Sequence, residues 1–362
     1  MSKPQRIAIL VRKLSGRGGM EAVIRTVAAA AAAEADPARV EVWCLGVPLR
    51  AEWLDGLPHR VANIDQGTGR RFQLGAKRWL YARALARFLR ESPVDALLAT
   101  DPVFVKAGLA AAGRGPGRPR VFSWPHFSLD RLANVPWLAE ADGHLALGTQ
   151  IAEQIQRVNP RVAPTVVGNP LPASPEGFPL VPPPHGPARF LYVGRLQNHQ
   201  KRVDLLLEAL AIHRAQDWTL EVFGDGPDRA SLEAQAERLG IANHVRWRGW
   251  LSDPWAQVEA ATALVLPSDF EGFPMALLES LVRGVPVIAT DCLAGPRDIV
   301  APGTNGWLVP PHDAGALSEA LQRFLVSPAG QLTSPPADRR RDILDRFEPG
   351  VVWRRMRDAL FA

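Results

Sequence analysis

Residues 168–187, GNPLPASPEGFPLVPPPHGP, hold eight prolines. Each proline fixes φ at about −65° and removes a backbone donor, so neither a helix nor a central strand can run through the stretch. Upstream of it, short apolar runs alternate with helix-like segments. Strands are expected at Arg6–Val11, Val40–Leu45, Asp95–Thr100 and Arg120–Trp124, with a helix at Met20–Glu34. Downstream the same rhythm resumes, with strands at Ala188–Val193, Thr219–Phe223, Val245–Arg248, Ala263–Pro267 and Val285–Thr290. Helices are expected there at Lys201–Arg214, Pro274–Arg283 and Ala314–Val326. Strand alternating with helix is the pattern of a parallel α/β sheet. The proline stretch therefore reads as a linker, 169–187, between two doubly wound domains, 1–168 and 188–340. A last segment, 341–362, ends in an expected helix Val351–Phe361. At 362 residues the chain exceeds the size at which one core grows efficiently, which agrees with this division.

Composition narrows the class. Hydrophobic residues make up 47% of the chain and charged ones 22%, a balance that fills packed cores. The two cysteines, Cys44 and Cys292, lie in separate strand-like runs without metal-ligand spacing, and read as buried bystanders. Met1–Gln5 is polar and leads into a short strand-like run, and no later run reaches membrane-spanning length, so a cytoplasmic location is expected. A net charge of +5 suits a phosphorylated substrate, an anionic membrane or nucleic acid, and does not choose among them.

In open α/β sheets ligands sit at the carboxyl ends of strands, so the loops after strands carry the functional reading. The first loop, LSGRGGMEAVI, offers Gly18 and Gly19 for close approach of a phosphate or sugar, or only a tight turn. Glu21 stands where a dinucleotide fingerprint needs its third glycine, which argues against an NAD site. In LYVGRLQNHQKRVDLLLEAL, Arg195 and Lys201 bracket a polar loop and suit a diphosphate. In EVFGDGPDRASL, Gly224 either lines a nucleotide pocket or serves an ordinary strand-to-helix turn. The segment LPSDFEGFPMALLESLVRGVPVIATD places Pro274 as the expected first helical residue, so amides of Phe273, Pro274's neighbour Met275 and Ala276 would face an anion. Glu271 and Glu279 flank that helix start. Either they accept from sugar and ribose hydroxyls, or they are a loop acid and a helix-surface charge.

With these residues set out, the chain resembles the retaining glycosyltransferases of family 4, which share the two-domain GT-B fold and an E-x7-E motif. Glu271 and Glu279 have that spacing, and GGMEAVIRTV, VGRLQNHQKRVDLL, FGDGPD, EGFPMALLES and NGWLVP extend the likeness over nearly the whole chain. FSWPHFSLD, residues 122–130, is similar to a segment of bacterial lipopolysaccharide core α-1,6-galactosyltransferases that use UDP-galactose. The resemblance implies two Rossmann-like domains facing an interdomain cleft. It also implies Glu271 on the donor-sugar hydroxyls, Glu279 on the ribose, and Arg195 and Lys201 on the diphosphate with Gly18 and Gly19 nearby. Gly224, Phe273, Pro274 and Met275 would line the donor site, and His126 would lie beside the transferred sugar. The implied reaction keeps anomeric configuration and uses a UDP-sugar as substrate, with no metal and no other cofactor. The implied acceptor is a lipopolysaccharide core sugar. Another surface polysaccharide or glycolipid as acceptor with a different UDP-sugar, a nucleotide-sugar epimerase, and a non-catalytic glycan-binding protein are the competing readings; the FSWPHFSLD and E-x7-E matches speak against the epimerase, and the phosphate-binding set against the non-catalytic protein.

Residues 70–90, RRFQLGAKRWLYARALARFLR, hold seven basic residues and no acidic one. As a helix they place Tyr81, Leu85, Phe88 and Leu89 on one face and Arg83, Arg87 and Arg90 on another. That face either lies on an anionic membrane or packs on the first domain's sheet. The implied partners are thus a nucleotide sugar, a glycolipid acceptor and the inner face of the cytoplasmic membrane, and not nucleic acid.

Overall fold

The computed structural model describes residues 4–12, 19–34, 37–48, 51–64, 77–172, 177–327 and 329–362. The chain forms two α/β units, the first comprising Met1–Ala173 and Phe347–Ala362 and the second Ser174–Arg346.

In the first unit the strands are β1 (Arg6–Val11), β2 (Arg39–Cys44), β3 (His59–Val61), β4 (Ala96–Ala99), β5 (Arg120–Ser123), β6 (Gly143–Ala146) and β7 (Thr165–Val166). All described pairings are parallel, in the order β3-β2-β1-β4-β5-β6-β7. A parallel sheet is covered on both faces, which explains why β1 and β4 are near-continuous apolar runs rather than alternating ones; every residue from Ile7 to Val11 is fully buried. Asp101 caps the Pro102–Ala112 helix by accepting from the Val103 amide, and Pro102 occupies a first-turn position where its missing N–H costs nothing. The final helix, Pro349–Phe361, buries Val352, Trp353, Met356 and Leu360 and packs on the Gly19–Ala33 helix. Arg120 Nη1 donates to the Leu360 carbonyl at 3.0 Å.

The Arg78–Glu91 helix settles the two readings of its apolar face. Tyr81 meets Phe104 edge-on with ring centroids 5.4 Å apart, Phe88 meets Trp43 at 5.5 Å, and Leu85 is fully buried. These residues pack on the first unit's own core, and Leu89 is half-buried. Of the two readings, the apolar face is the core one, because aromatic burial against Trp43 and Phe104 is available to it. Arg83, Arg87 and Arg90 are exposed. So are Trp79, at 69%, and Leu80, at 53%, neither of which belonged to the expected apolar face. Residues 70–76 of that stretch lie outside the described residues.

The second unit has β8 (Ala188–Val193), β9 (Trp218–Phe223), β10 (Val245–Gly249), β11 (Ala263–Leu266), β12 (Val287–Thr290) and β13 (Gly306–Val309), again all parallel, in the order β10-β9-β8-β11-β12-β13. Two sequence expectations are corrected here. The helix expected at Lys201–Arg214 is instead one helical turn, Asn198–Lys201, then Arg202 in the left-handed region at φ 48°, then a helix Val203–Ala211. Side-chain bonds from Arg202 to Asp204 and Asp269 hold that break. Pro274 is not the first helical residue but the residue before it, with ψ 94°, and the helix runs only Met275–Leu281. The preceding loop is pinned to β12's exit by the Phe270–Leu293 bridge, and Pro274 sits against Gly295, which turns the chain before the helix can begin.

Strand order reverses between β1 and β4 and again between β8 and β11. Crevices open at the carboxyl ends of strands at such switch points.

Candidate functional site

At the second unit's switch point the loop after β8 lies between two others. On one side is the loop after β9. A Cβ on Gly224 would stand 1.8 Å from the Gly194 carbonyl oxygen, and one on Gly226 2.2 Å from that of Leu196, so only glycine permits the approach. Asp228 Oδ2 accepts from the Asn198 amide at 2.6 Å, and Leu196 N donates to the Asp225 carbonyl. Gly224 thus serves the close packing of two loops. From beneath, the buried Tyr192 hydroxyl donates to the Arg195 carbonyl at 2.8 Å, and burial, with the Glu271 charge nearby, keeps that phenol protonated well above its ordinary range.

On the other side is the loop after β11. Lys201 Nζ lies 2.5 Å from Glu271 Oε1, with 17% and 7% side-chain exposure respectively. The same carboxylate oxygen accepts from Ser268 Oγ at 2.6 Å. The Ser268 carbonyl in turn accepts from the Thr290 hydroxyl on β12. Asp269 N donates to the Gln200 carbonyl, and Gln200 Nε2 to the Phe270 carbonyl at 3.2 Å. Lys201 and Glu271, 70 residues apart in sequence, are joined because β8 and β11 are adjacent strands. Cys292 stands close enough to feel the Glu271 charge; burial first, and that charge second, push its thiol up to about 12. Cys44 is likewise buried, at about 11. Neither thiol forms a thiolate near neutral pH.

Arg195 is exposed at the head of this loop, and no ion pair holds it among the described residues. Phe273 and Pro274 are buried and Met275 is half-buried. Glu279 is placed apart from Glu271's partners: its Oε2 accepts from Trp255 Nε1 at 3.1 Å. Burial raises its pKa, with the Trp255 bond and the Arg283 charge opposing. The Arg283 guanidinium lies 4.7 Å over the Trp255 ring and 5.1 Å over Phe178. The two acids of the E-x7-E pair thus have different environments. One is ion-paired, the other held by an indole N–H in a desolvating pocket.

The remaining sequence-chosen residues belong to the first unit. Gly19 is the first residue of its helix, and Gly18 lies outside the described residues. His126 is buried edge-on against Trp124 at 4.4 Å, and its Nε2 has no hydrogen-bond partner. Burial pushes its pKa down to about 3, so the ring is neutral at physiological pH. Among the described residues no three His, Cys, Asp or Glu side chains converge as a metal-holding group. No helix among them is long and apolar enough to cross a membrane.

Sequence reading missed Tyr192, Ser268, Trp255 and Arg202. Tyr192 and Arg202 lie in the loop-and-helix segment around Arg195 and Lys201, and Ser268 lies in the segment of Glu271, while Trp255 lies outside all the motif segments; in each case neighbouring residue types do not say which strand's neighbour a side chain will meet. Only Ser268, three residues before Glu271, had a local signal.

The profile of the family described as "Glycosyl transferases group 1" matches residues 175–339. The lipopolysaccharide 1,6-galactosyltransferase of Escherichia coli K12 is 34% identical over 331 residues, covering 89% of each chain. That of Salmonella typhimurium LT2 is 33% identical over 99% of each. This chain is a group 1 glycosyltransferase. Its fold is GT-B: the glycosyltransferase superposes on the apo form of the lipopolysaccharide outer core galactosyltransferase WaaB with a TM-score of 0.83 and 31% identity over 99% of both chains. It shares that fold also with Anabaena HepE in complex with UDP, at a TM-score of 0.75 and 18% identity. In the glycosyltransferase, the family-matched region contains the whole Lys201–Glu271 and Trp255–Glu279 constellation.

Proposed function

We propose that this glycosyltransferase moves a hexose, galactose from UDP-galactose, onto a sugar of the lipopolysaccharide core with retention of anomeric configuration, working at the anionic inner face of the cytoplasmic membrane. The observation that carries the reading is the Lys201–Glu271 ion pair seated at a sheet switch point beside the unpaired Arg195. Its relatives in E. coli and S. typhimurium, both lipopolysaccharide 1,6-galactosyltransferases, support the choice of sugar and acceptor.

In this reading Arg195 and Lys201 bind the donor diphosphate, and Glu271, released from Lys201, accepts from donor-sugar hydroxyls. Glu279 accepts from the ribose. The anomeric carbon–oxygen bond breaks with its electron pair passing to the β-phosphate oxygen, whose growing charge the two cations stabilise. The acceptor oxygen bonds to the same face of the anomeric carbon, and its proton goes to the departing phosphate oxygen. His126, neutral and unpartnered at Nε2, serves as a hydrogen-bond partner rather than a cationic acid.

Incubation with UDP-galactose and lipopolysaccharide truncated before the galactose tests the proposal. Mass spectrometry should show a single hexose added and an equal amount of UDP released. UDP-glucose as sole productive donor would correct the sugar, and release of UDP without a glycan product would refute the acceptor.

A further inference from the structure

We infer that Arg202 and Asp269 are positioning residues that hold the Lys201 ammonium in register for the donor phosphates; the inference rests on the reading of Lys201 given above. Lys201 ends a single helical turn, and a four-residue turn has no helical neighbours of its own to fix its orientation. Asp228 holds its start and Asp269 and Phe270 hold Gln200, and its end at Lys201 is set by the next residue. Arg202 adopts φ 48° and ψ 44°, a left-handed conformation that favours glycine and breaks the helix just after Lys201. Its guanidinium occupies three neighbours at once. Nε donates to Asp204 at 3.1 Å, Nη1 reaches both Asp269 oxygens at 3.3 Å, and Nη1 lies 2.8 Å from His312 Nδ1.

Asp269 is the key partner, because it stands in the loop after β11, two residues before Glu271. Arg202–Asp269 and Lys201–Glu271 are therefore parallel rungs between the same two loops, and the backbone bond from Asp269 N to the Gln200 carbonyl is a third, at 2.8 Å. When a diphosphate draws Lys201 from Glu271, that rung is lost while the Arg202–Asp269 pair, the Asp269–Gln200 backbone bond and the Gln200–Phe270 bond keep the loops together. Lys201 then remains where the β-phosphate charge develops instead of swinging out on its four-carbon stem. Arg202 acts here through protein acceptors, since its Nε and Nη1 donors are already engaged with Asp204, Asp269 and His312.

Arg202→Gly keeps the backbone conformation while removing the guanidinium, and Asp269→Asn removes the charge while keeping the shape. Circular dichroism and urea midpoints identify folded variants, with Arg202→Lys as a third substitution that keeps the charge but not the fork. In UDP-release assays Arg202→Gly and Asp269→Asn should each lower kcat by roughly 10- to 100-fold, with KM for UDP-galactose changed less than threefold. In a Lys201→Ala background either change should lower kcat by less than about twofold, because the group being positioned is gone. Wild-type kcat in both single variants beside an impaired Lys201→Ala would overturn the positioning role alone, as would full additivity with Lys201→Ala. Wild-type turnover in Lys201→Ala itself would overturn the phosphate role of Lys201 and this inference together.

Discussion

Lys201 Nζ and Glu271 Oε1 stand 2.5 Å apart with both side chains largely withdrawn from water, so a ligand anion must compete with a resident carboxylate. Glu271→Gln removes that competitor. UDP should bind the variant at least as tightly as wild type, because Lys201 now lacks an anion. Turnover of UDP-galactose should fall about 100-fold, because the sugar loses its charged acceptor. Titration calorimetry with UDP beside a UDP-release assay separates the two effects. Weaker UDP binding together with unchanged turnover would contradict this assignment.

Gly224 and Gly240 both have positive φ but differ in surroundings. A Cβ on Gly224 would collide with the Gly194 carbonyl, whereas one on Gly240 meets nothing within 4 Å. Gly240→Ala should cost about 1–2 kcal/mol from its left-handed backbone alone. Gly224→Ala should cost about 3 kcal/mol or more, since backbone must move, and should weaken UDP binding by displacing the loop after β8. Urea unfolding of the two variants measures the difference.

Two buried histidines set an acid limit on the first unit. Burial takes His126 from the ordinary 6.5 down to about 3 and His144 down to about 4. His144 Nε2 accepts from Asn159 and Nδ1 bonds Ser123, so protonation would oppose two hydrogens at Nε2. The unfolded chain takes up these protons near pH 6.5 while the folded chain refuses them until about 3–4. Stability is therefore fully present above about pH 6.5 and falls as pH drops towards 4, by about 1.4 kcal/mol per pH unit for each histidine. His126→Phe and His144→Gln should each flatten the pH dependence of the urea midpoint between pH 4 and 6. A slope unchanged in both would remove the histidines as its cause.

On the Arg78–Glu91 helix, Phe88 and Trp79 should separate core packing from surface attachment. Phe88, 2% exposed, should cost about 3–5 kcal/mol when changed to Ala. Trp79→Ala should change stability by less than about 0.5 kcal/mol and instead reduce co-sedimentation with vesicles containing phosphatidylglycerol. Equal sedimentation of Trp79→Ala and wild type would assign membrane attachment elsewhere.

Much of the fold was legible because parallel strands buried on both faces write themselves as continuous apolar runs. Arg6–Val11, Ala188–Val193 and the Ala314–Val326 helix appear where the apolar patterning put them. Boundaries failed where a side chain from a distant segment intervened. Arg202 broke its expected helix through Asp269, and Pro274 stayed outside its helix because Phe270 and Leu293 bridge. Local propensity contains no trace of either partner.

The same division runs through the site. The proline-rich 168–187 stretch separates two α/β runs in the sequence itself, since proline's geometry is local and needs no partner. Arg195, Lys201, Glu271 and Glu279 could likewise be singled out by residue type and spacing. That Lys201 is Glu271's counter-ion, that Trp255 holds Glu279, and that Tyr81 and Phe88 face a core were decided only by tertiary structure. Strand order brings β8 beside β11 across more than sixty intervening residues, and an amphipathic helix acquires its buried side only when a sheet is present to cover it.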